Sequence, residues 1–247
     1  MKKTFLLSCL MLAAMPVMAA YTGHVYVDKN KNGVFDQSEK PLAGIKVSDG
    51  LNVVETAADG SFTLPGHERE RFIFITTPSG YKTFNRHYHK IEKKQSGYDF
   101  GLIPYSGRIR KDGSHRYIHI TDTEIFNTEN HADWVNNVHD YARNEQAAFI
   151  IHTGDICYEK GLKAHIKLMN TENMDCPVFY CIGNHDLVKG KYGEELFESI
   201  YGPVYYSFDA GNVHYVVTPM PGGDHAPGYT SDDVCRWLKN DLAHIRP

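Results

Sequence analysis

The chain has 247 residues, enough for about two domains, a formal net charge of −4 and a pI near 6.4. That charge balance carries no signature of nonspecific nucleic-acid binding, which needs a basic surface. With 42% hydrophobic and 23% charged residues, the composition is that of an ordinary folded protein.

Residues 1–19 read as a secretory signal. Lys2 and Lys3 precede an apolar run from Phe5 to Ala14, and Val17-Met18-Ala19 offers small-residue cleavage before Ala20. The expectation is an exported protein, periplasmic or at the cell surface or secreted. No transmembrane span remains after signal removal, because no second long apolar run exists. Leu7-Ser8-Cys9 faintly resembles a lipoprotein site but lies too early in the apolar core. Four cysteines remain after cleavage: Cys157, Cys176, Cys181 and Cys235. Cys176 and Cys181 flank one extended run, so their Cα atoms stand roughly 16 Å apart, beyond bridging distance. Buried or free thiols are the expectation, with a Cys157–Cys181 contact left open.

Residues 20–104 are short strands and turns. Val25-Tyr26-Val27, Ile45-Lys46-Val47, Val53 to Thr56, Ser61 to Leu64 and Phe72 to Ile75 read as strands, with Asp49-Gly50 and Asp59-Gly60 as turn pairs. Several short strands at close spacing predict a small all-β, Ig-like sandwich. Within it, Asp28, Asn30, Asn32, Gly33 and Glu39 match every fixed position of the D-x-[DN]-x-[DN]-G-x5-E calcium loop, and Asp36 stands at its ninth position. Alternating oxygen side chains converge on one ion there, the glycine makes the sharp turn, and the distal carboxylate closes the shell. The flanks are strands rather than helices, so a structural calcium ion is expected and not an EF-hand pair. A polar turn that binds nothing is the bland alternative. Residues 81–98 are rich in Tyr, His, Lys and Arg; we read them as a solvated loop in preference to a polyanion or sugar contact.

Residues 105–247 alternate strand and helix patterns. Tyr117 to Ile120, Phe149 to His152 and Val178 to Ile182 are apolar runs, each followed by polar metal-ligand types. Leu162, Ile166 and Met169 mark a helix between the last two, which makes a parallel strand–helix–strand crossover. Trp134, Val138, Tyr141 and Ala142 mark one helix face. Leu196, Phe197 and Ile200 mark a short helix, and Val234, Leu238, Leu242 and Ile245 a last one. Tyr205 to Phe208 and Val213 to Val217 read as a hairpin with Asp209-Ala210-Gly211-Asn212 as its turn. Ligands of parallel sheets gather at the carboxyl ends of strands. Asp122, Glu124, Asp155, Asn184, His185 and Asp186 all fall there. Hard oxygen ligands with a histidine suit a hydrolytic divalent-metal site.

Gly154-Asp155 and Gly183-Asn184-His185-Asp186, in this order and downstream of Asp122, resemble the motifs of the calcineurin-like metallophosphoesterase family. The likeness covers most of residues 116–246 and includes Y-G-P-V-Y-Y-S-F-D and N-V-H-Y-V-V. The run V-S-D-G, V-V-x-T, D-G-S-F-T-L resembles the N-terminal domain of exported members, over roughly residues 22–103. The resemblance implies an α/β sandwich and a phosphate-ester substrate, mono- or diester. It also implies two divalent metal ions (Mn, Fe, Zn or Mg), roughly 3.5–4 Å apart, that clamp the phosphoryl group. It assigns Asp155 as the bridging ligand, Asn184 to the second metal, Asp122 to the first, and His185 as the catalytic histidine. Asp186 either orients His185 or braces its loop.

Two departures stand against that pattern. The family's D-x-H is Asp122-Thr123-Glu124 here, which favours Mn, Fe or Mg if Glu124 ligates. The family's later metal-ligand histidines are not found: His214 lies in a strand, His225 precedes the last helix and His244 ends it. The chain stops at Pro247, where the family's next strand would begin, so a C-terminally incomplete domain is the simplest expectation. The alternative function is a non-catalytic surface or binding protein with a degenerate metal site.

Overall fold

The structure, a computed structural model, describes residues 20–105, 108–188 and 190–245; the expected signal at residues 1–19 lies outside them. Nine strands come first: β1 (Tyr21–Val27), β2 (Lys40–Pro41), β3 (Lys46–Ser48), β4 (Val53–Glu55), β5 (Ser61–Leu64), β6 (Phe72–Ile75), β7 (Tyr81–Thr83), β8 (Tyr88–Lys90) and β9 (Phe100–Pro104). They form two sheets, β2-β1-β9-β7 with β5 added on β1, and β4-β3-β6-β8. Side chains alternate across each strand, so Val25, Phe62, Leu64, Phe100 and Leu102 of one sheet meet Val47, Ile73 and Ile75 of the other in one buried core. This is the expected β-rich first domain. The stretch read as a solvated loop contains β7 and β8 instead. Tyr88 is buried there, because its ring stands edge-on to Phe72 in the neighbouring strand.

The second domain is α/β. Strands β10 (Tyr117–Ile120), β11 (Phe149–His152) and β12 (Val178–Tyr180) form a parallel sheet in the order β10-β11-β12. Helix α1 (Ala132–Asn144) connects the first pair and α2 (Tyr158–Leu168) the second; α3 (Glu195–Tyr201), the hairpin β13 (Tyr206–Ala210) and β14 (Val213–Val217), and α4 (Ser231–Leu242) follow. One sheet face buries Ile150 and Val178 with Val135 and Ala142 of α1, and the other buries Phe149 and Phe179 against Phe208 of the hairpin. Burial on both faces is why these strands read as continuous apolar runs.

Three local expectations are corrected. On α1, Val135 and Ala142 point inward while Trp134 and Tyr141 are exposed. On α4, Trp237 and Asp241 are buried and Leu242 is exposed. The hairpin turn is Gly211-Asn212 alone, since Asp209 and Ala210 pair with His214 and Val213 in the ladder.

β6 joins the two halves. Ile73 and Ile75 face the sandwich core, while Phe72 and Phe74 enter a second cluster with Tyr206, Phe208 and Trp237. Polar ties reinforce that seam. Arg71 pairs with Glu194 and Glu198, each at 2.9 Å, and Asp209 N donates to Thr77 O at 2.8 Å.

Candidate active site

In-register pairing of Ile120 with His152 and of His152 with Tyr180 sets the loops after β10, β11 and β12 side by side. Backbone bonds lace them together. Asp122 N donates to Gly154 O at 3.1 Å, Glu124 N to Asp155 O at 3.4 Å, and Cys181 N to His152 O at 2.7 Å. The glycines of the two motifs are needed where these loops touch. Gly154 has a φ of +100°, and a Cβ on it would stand 2.3 Å from Gly183 N; a Cβ on Gly183 would stand 2.2 Å from Asp155 Oδ1. Asp122, Glu124, Asp155, Cys157 and Tyr158 also hold positive φ, from 43° to 75°. Such strained backbone, concentrated in adjacent loops, marks a site whose geometry is over-determined by its surroundings.

The expected residues reach one rim. Asp155 Oδ1 accepts His185 N at 3.1 Å, and Thr121 Oγ1 donates to Asp122 Oδ2 at 2.5 Å. The side chains of Glu124 and Asn184 make no hydrogen bond among the described residues. Asp122, Glu124 and Asp155 have no cationic side chain within ion-pair distance among the described residues. This donor set of carboxylates and an amide fits hard divalent ions. The ligand oxygens of Asp122, Glu124 and Asp155 do not all lie within 4.8 Å of one another. Among the described residues, the ligand atoms that all lie within 4.8 Å of one another belong to Asp49, His67 and Glu70. In that trio, His67 Nε2 lies 3.1 Å from Asp49 O, and both oxygens of Glu70 accept, from Tyr21 and from His67 N.

Asp186 is fully buried and does not touch His185 through its carboxylate. Oδ1 accepts Cys157 N at 2.8 Å and Oδ2 accepts Gly183 N at 3.0 Å, so it clamps the β11 and β12 loops. Burial raises its pKa, opposed by those two N–H donors. The partner of His185 is Asp224, whose Oδ2 lies 2.9 Å from Nδ1. That hydrogen bond raises the histidine's pKa, with the charges of Asp224, Asp155 and Glu124 adding to it. Asp224 is brought there because Asp224 N donates to Asn184 O at 3.1 Å, and Gly223 is packed so closely that a Cβ would stand 2.3 Å from the same oxygen.

Burial shifts two nearby groups toward their neutral forms. His152 is buried, accepts Gly154 N on Nδ1 and so holds its proton on Nε2, facing Thr123 Oγ1 at 2.9 Å. Burial lowers its pKa to about 4, so it is neutral. Burial pushes the Cys157 thiol up to about 12, and the charges of Glu124, Asp186, Asp155 and Asp122 add to the effect. Cys157, Cys176, Cys181 and Cys235 are free.

Sequence reasoning passed over Asp224 and Tyr158. Tyr158 is exposed, with its ring centroid 5.8 Å from that of His185. The only sequence signal for Asp224 was the glycine pair before it. His214, in β14, lies between Asp209 and Asp241.

Residues 29–104 match the family model described as the N terminal of calcineurin-like phosphoesterase. No curated protein matches the chain. No helix among the described residues is long and apolar enough to cross a membrane. Residues 115–240 match the calcineurin-like phosphoesterase model, and the chain belongs to that family of metal-dependent phosphoesterases.

Proposed function

We propose that the protein is an exported hydrolase of phosphate mono- or diesters working through two divalent ions held by Asp122, Glu124, Asp155 and Asn184. The observation that supports this most is electrostatic: three carboxylates share one laced rim, with no cationic side chain in ion-pair contact among the described residues. Bound ions would polarise the phosphoryl group and activate a water. The protein's own residues do the rest. His185 donates its Nδ1–H to Asp224, which leaves Nε2 to protonate the leaving oxygen. Asp224 is a positioning residue for that imidazole. Asp186 keeps Gly183 and Cys157 fixed, and through them Asp155 and His185. Export rests on residues 1–19.

The calcium loop is part of the same proposal. Asp28 and Glu39 are 1% and 6% exposed, and they accept backbone N–H groups from Asn32, Gly33 and Lys29. Beside them the buried Tyr26 hydroxyl has no hydrogen-bond partner. Buried carboxylates with no ion-pair partner among the described residues call for an external cation, and Asp28, Asn30, Asn32, Asp36 and Glu39 would hold it.

The alternative, a domain kept without catalysis, draws on the open spacing of Asp122, Glu124 and Asp155. Hydrolysis of chromogenic phosphate mono- and diesters with added manganese separates the two. Turnover that disappears in Asp155→Asn and His185→Ala supports the enzyme; turnover that survives both excludes this mechanism, and none with Mn, Fe, Zn or Mg favours the binding protein.

A further inference from the structure

The basic and aromatic stretch after β7 is not spent on the sandwich core. It forms one wall of a cleft of about 700 Å³ between the two domains. The other wall comes from the end of α2, the start of β12 and the end of α3, through Ile166, Thr171, Val178, Tyr180 and Tyr201. No expected metal ligand lines it, so it is separate from the rim. Its volume lies within the range of small-molecule sites, roughly 300–1,000 Å³.

The charges at this cleft are one-sided. Lys31, Lys82 and Arg86 line it, against Glu172 alone, on a chain whose net charge is −4. Their donors are largely free. Lys31 and Lys82 have no hydrogen-bond or ion-pair partner among the described residues; Lys82 lies over the ring of Tyr105 at 5.6 Å. Arg86 gives one N–H to Tyr88 Oη at 2.8 Å and stands over that ring at 5.4 Å, with its other donors unused. Asn85 adds an unpartnered amide. Lys31 belongs to the 28–39 loop, which is seated on this wall: a Cβ on Gly33 would meet the Phe84 ring at 3.1 Å. Apolar faces of Phe84, Tyr88 and Tyr180 complete the lining.

We propose that this cleft binds a small organic phosphate, its dianion held by Lys82, Arg86 and Lys31 and its ring or sugar body laid on the aromatic wall. Free guanidinium and ammonium donors match phosphate oxygens, and the rings supply the apolar contact that inorganic phosphate lacks. Because both domains contribute, occupancy also ties them together.

Titration calorimetry with phenylphosphonate, whose C–P bond resists hydrolysis, tests this at low ionic strength on the calcium-loaded protein in the Asp155→Asn background. Calcium keeps the loop that carries Lys31 in place, and the substitution removes the rim's bridging ligand, so binding read there belongs to the cleft. The expected result is millimolar or tighter binding, weakened about tenfold or more in Lys82→Gln/Arg86→Gln and in Lys31→Gln/Arg86→Gln, unchanged in the surface control Lys163→Gln. Inorganic phosphate should bind more weakly than phenylphosphonate. No binding, or affinity unaffected by both double variants while their melting curves stay cooperative, overturns the proposal.

Discussion

His185 Nδ1 and Asp224 Oδ2 stand 2.9 Å apart across 39 residues of chain. The carboxylate takes Nδ1 and leaves Nε2 for a substrate in the proposed mechanism, and its hydrogen bond holds the imidazole's proton on to higher pH. In Asp224→Asn the histidine loses that support, so the basic limb of kcat/KM should move to lower pH. His185→Ala should cost roughly 10²–10⁴ in kcat and remove the limb. A pH–rate profile unchanged in Asp224→Asn would show that this pair does not carry the proton.

Asp186→Asn should loosen both loops at once. An amide would turn one N–H toward Cys157 N or Gly183 N, where each now meets a carboxylate oxygen. The expected loss is about 1–3 kcal/mol of stability, with a fall in kcat and in metal affinity together. Unchanged denaturation midpoint and activity would contradict the clamp.

Arg71 is the cation between two buried carboxylates, Glu194 at 0% and Glu198 at 5% exposure. Burial raises Glu198 to about 7 even with Arg71 present. Arg71→Ala leaves two buried acids unpaired across the seam. Urea denaturation should show a loss of about 3 kcal/mol, larger at pH 8 than at pH 5, where Glu198 takes up a proton.

His214 lies between Asp209 Oδ1 at 2.6 Å and Asp241 Oδ2 at 2.7 Å, and its pKa is raised to about 9: burial opposes the charged form, but the two aspartate hydrogen bonds and charges outweigh it. A folded pKa above the unfolded one stabilises fully below about 6.5 and fades as pH rises through about 9. The melting temperature should therefore drop between pH 7 and 9.5, and His214→Gln should flatten that drop while lowering the pH 7 value. Ser207 Oγ also donates to Asp241 and lies 2.8 Å from Thr76 Oγ1 of the first domain, so the loss is felt across the seam.

Calcium should raise the melting temperature, and Asp28→Ala should abolish the rise. No shift on adding calcium would leave Asp28 to Glu39 a hydrogen-bonded turn and nothing more.

The rim was legible because its chemistry is local. Each polar cluster directly follows an apolar strand, and Gly154 and Gly183 sit where the loops press together. Asp224 was not legible, since its contact is made across 39 residues by a loop without periodicity. Helix faces misled for another reason. Trp134 beside Val135, and Tyr141 beside Ala142, offer two stripes about 100° apart. Only the neighbours, Ile150 and Ala147, select the smaller pair. Likewise Phe72 to Ile75 read as a strand, and its unbroken apolar run fits burial on both faces, but nothing local told which neighbours would cover each face.

In the proposed function this rim holds two divalent ions, with Glu124 where the resembling motif carries a histidine. The direct measurement is the number of manganese ions bound per chain at saturating calcium, in the wild type and in Asp155→Asn. Two more ions in the wild type than in the variant is the predicted result. Equal numbers in the two proteins would contradict it.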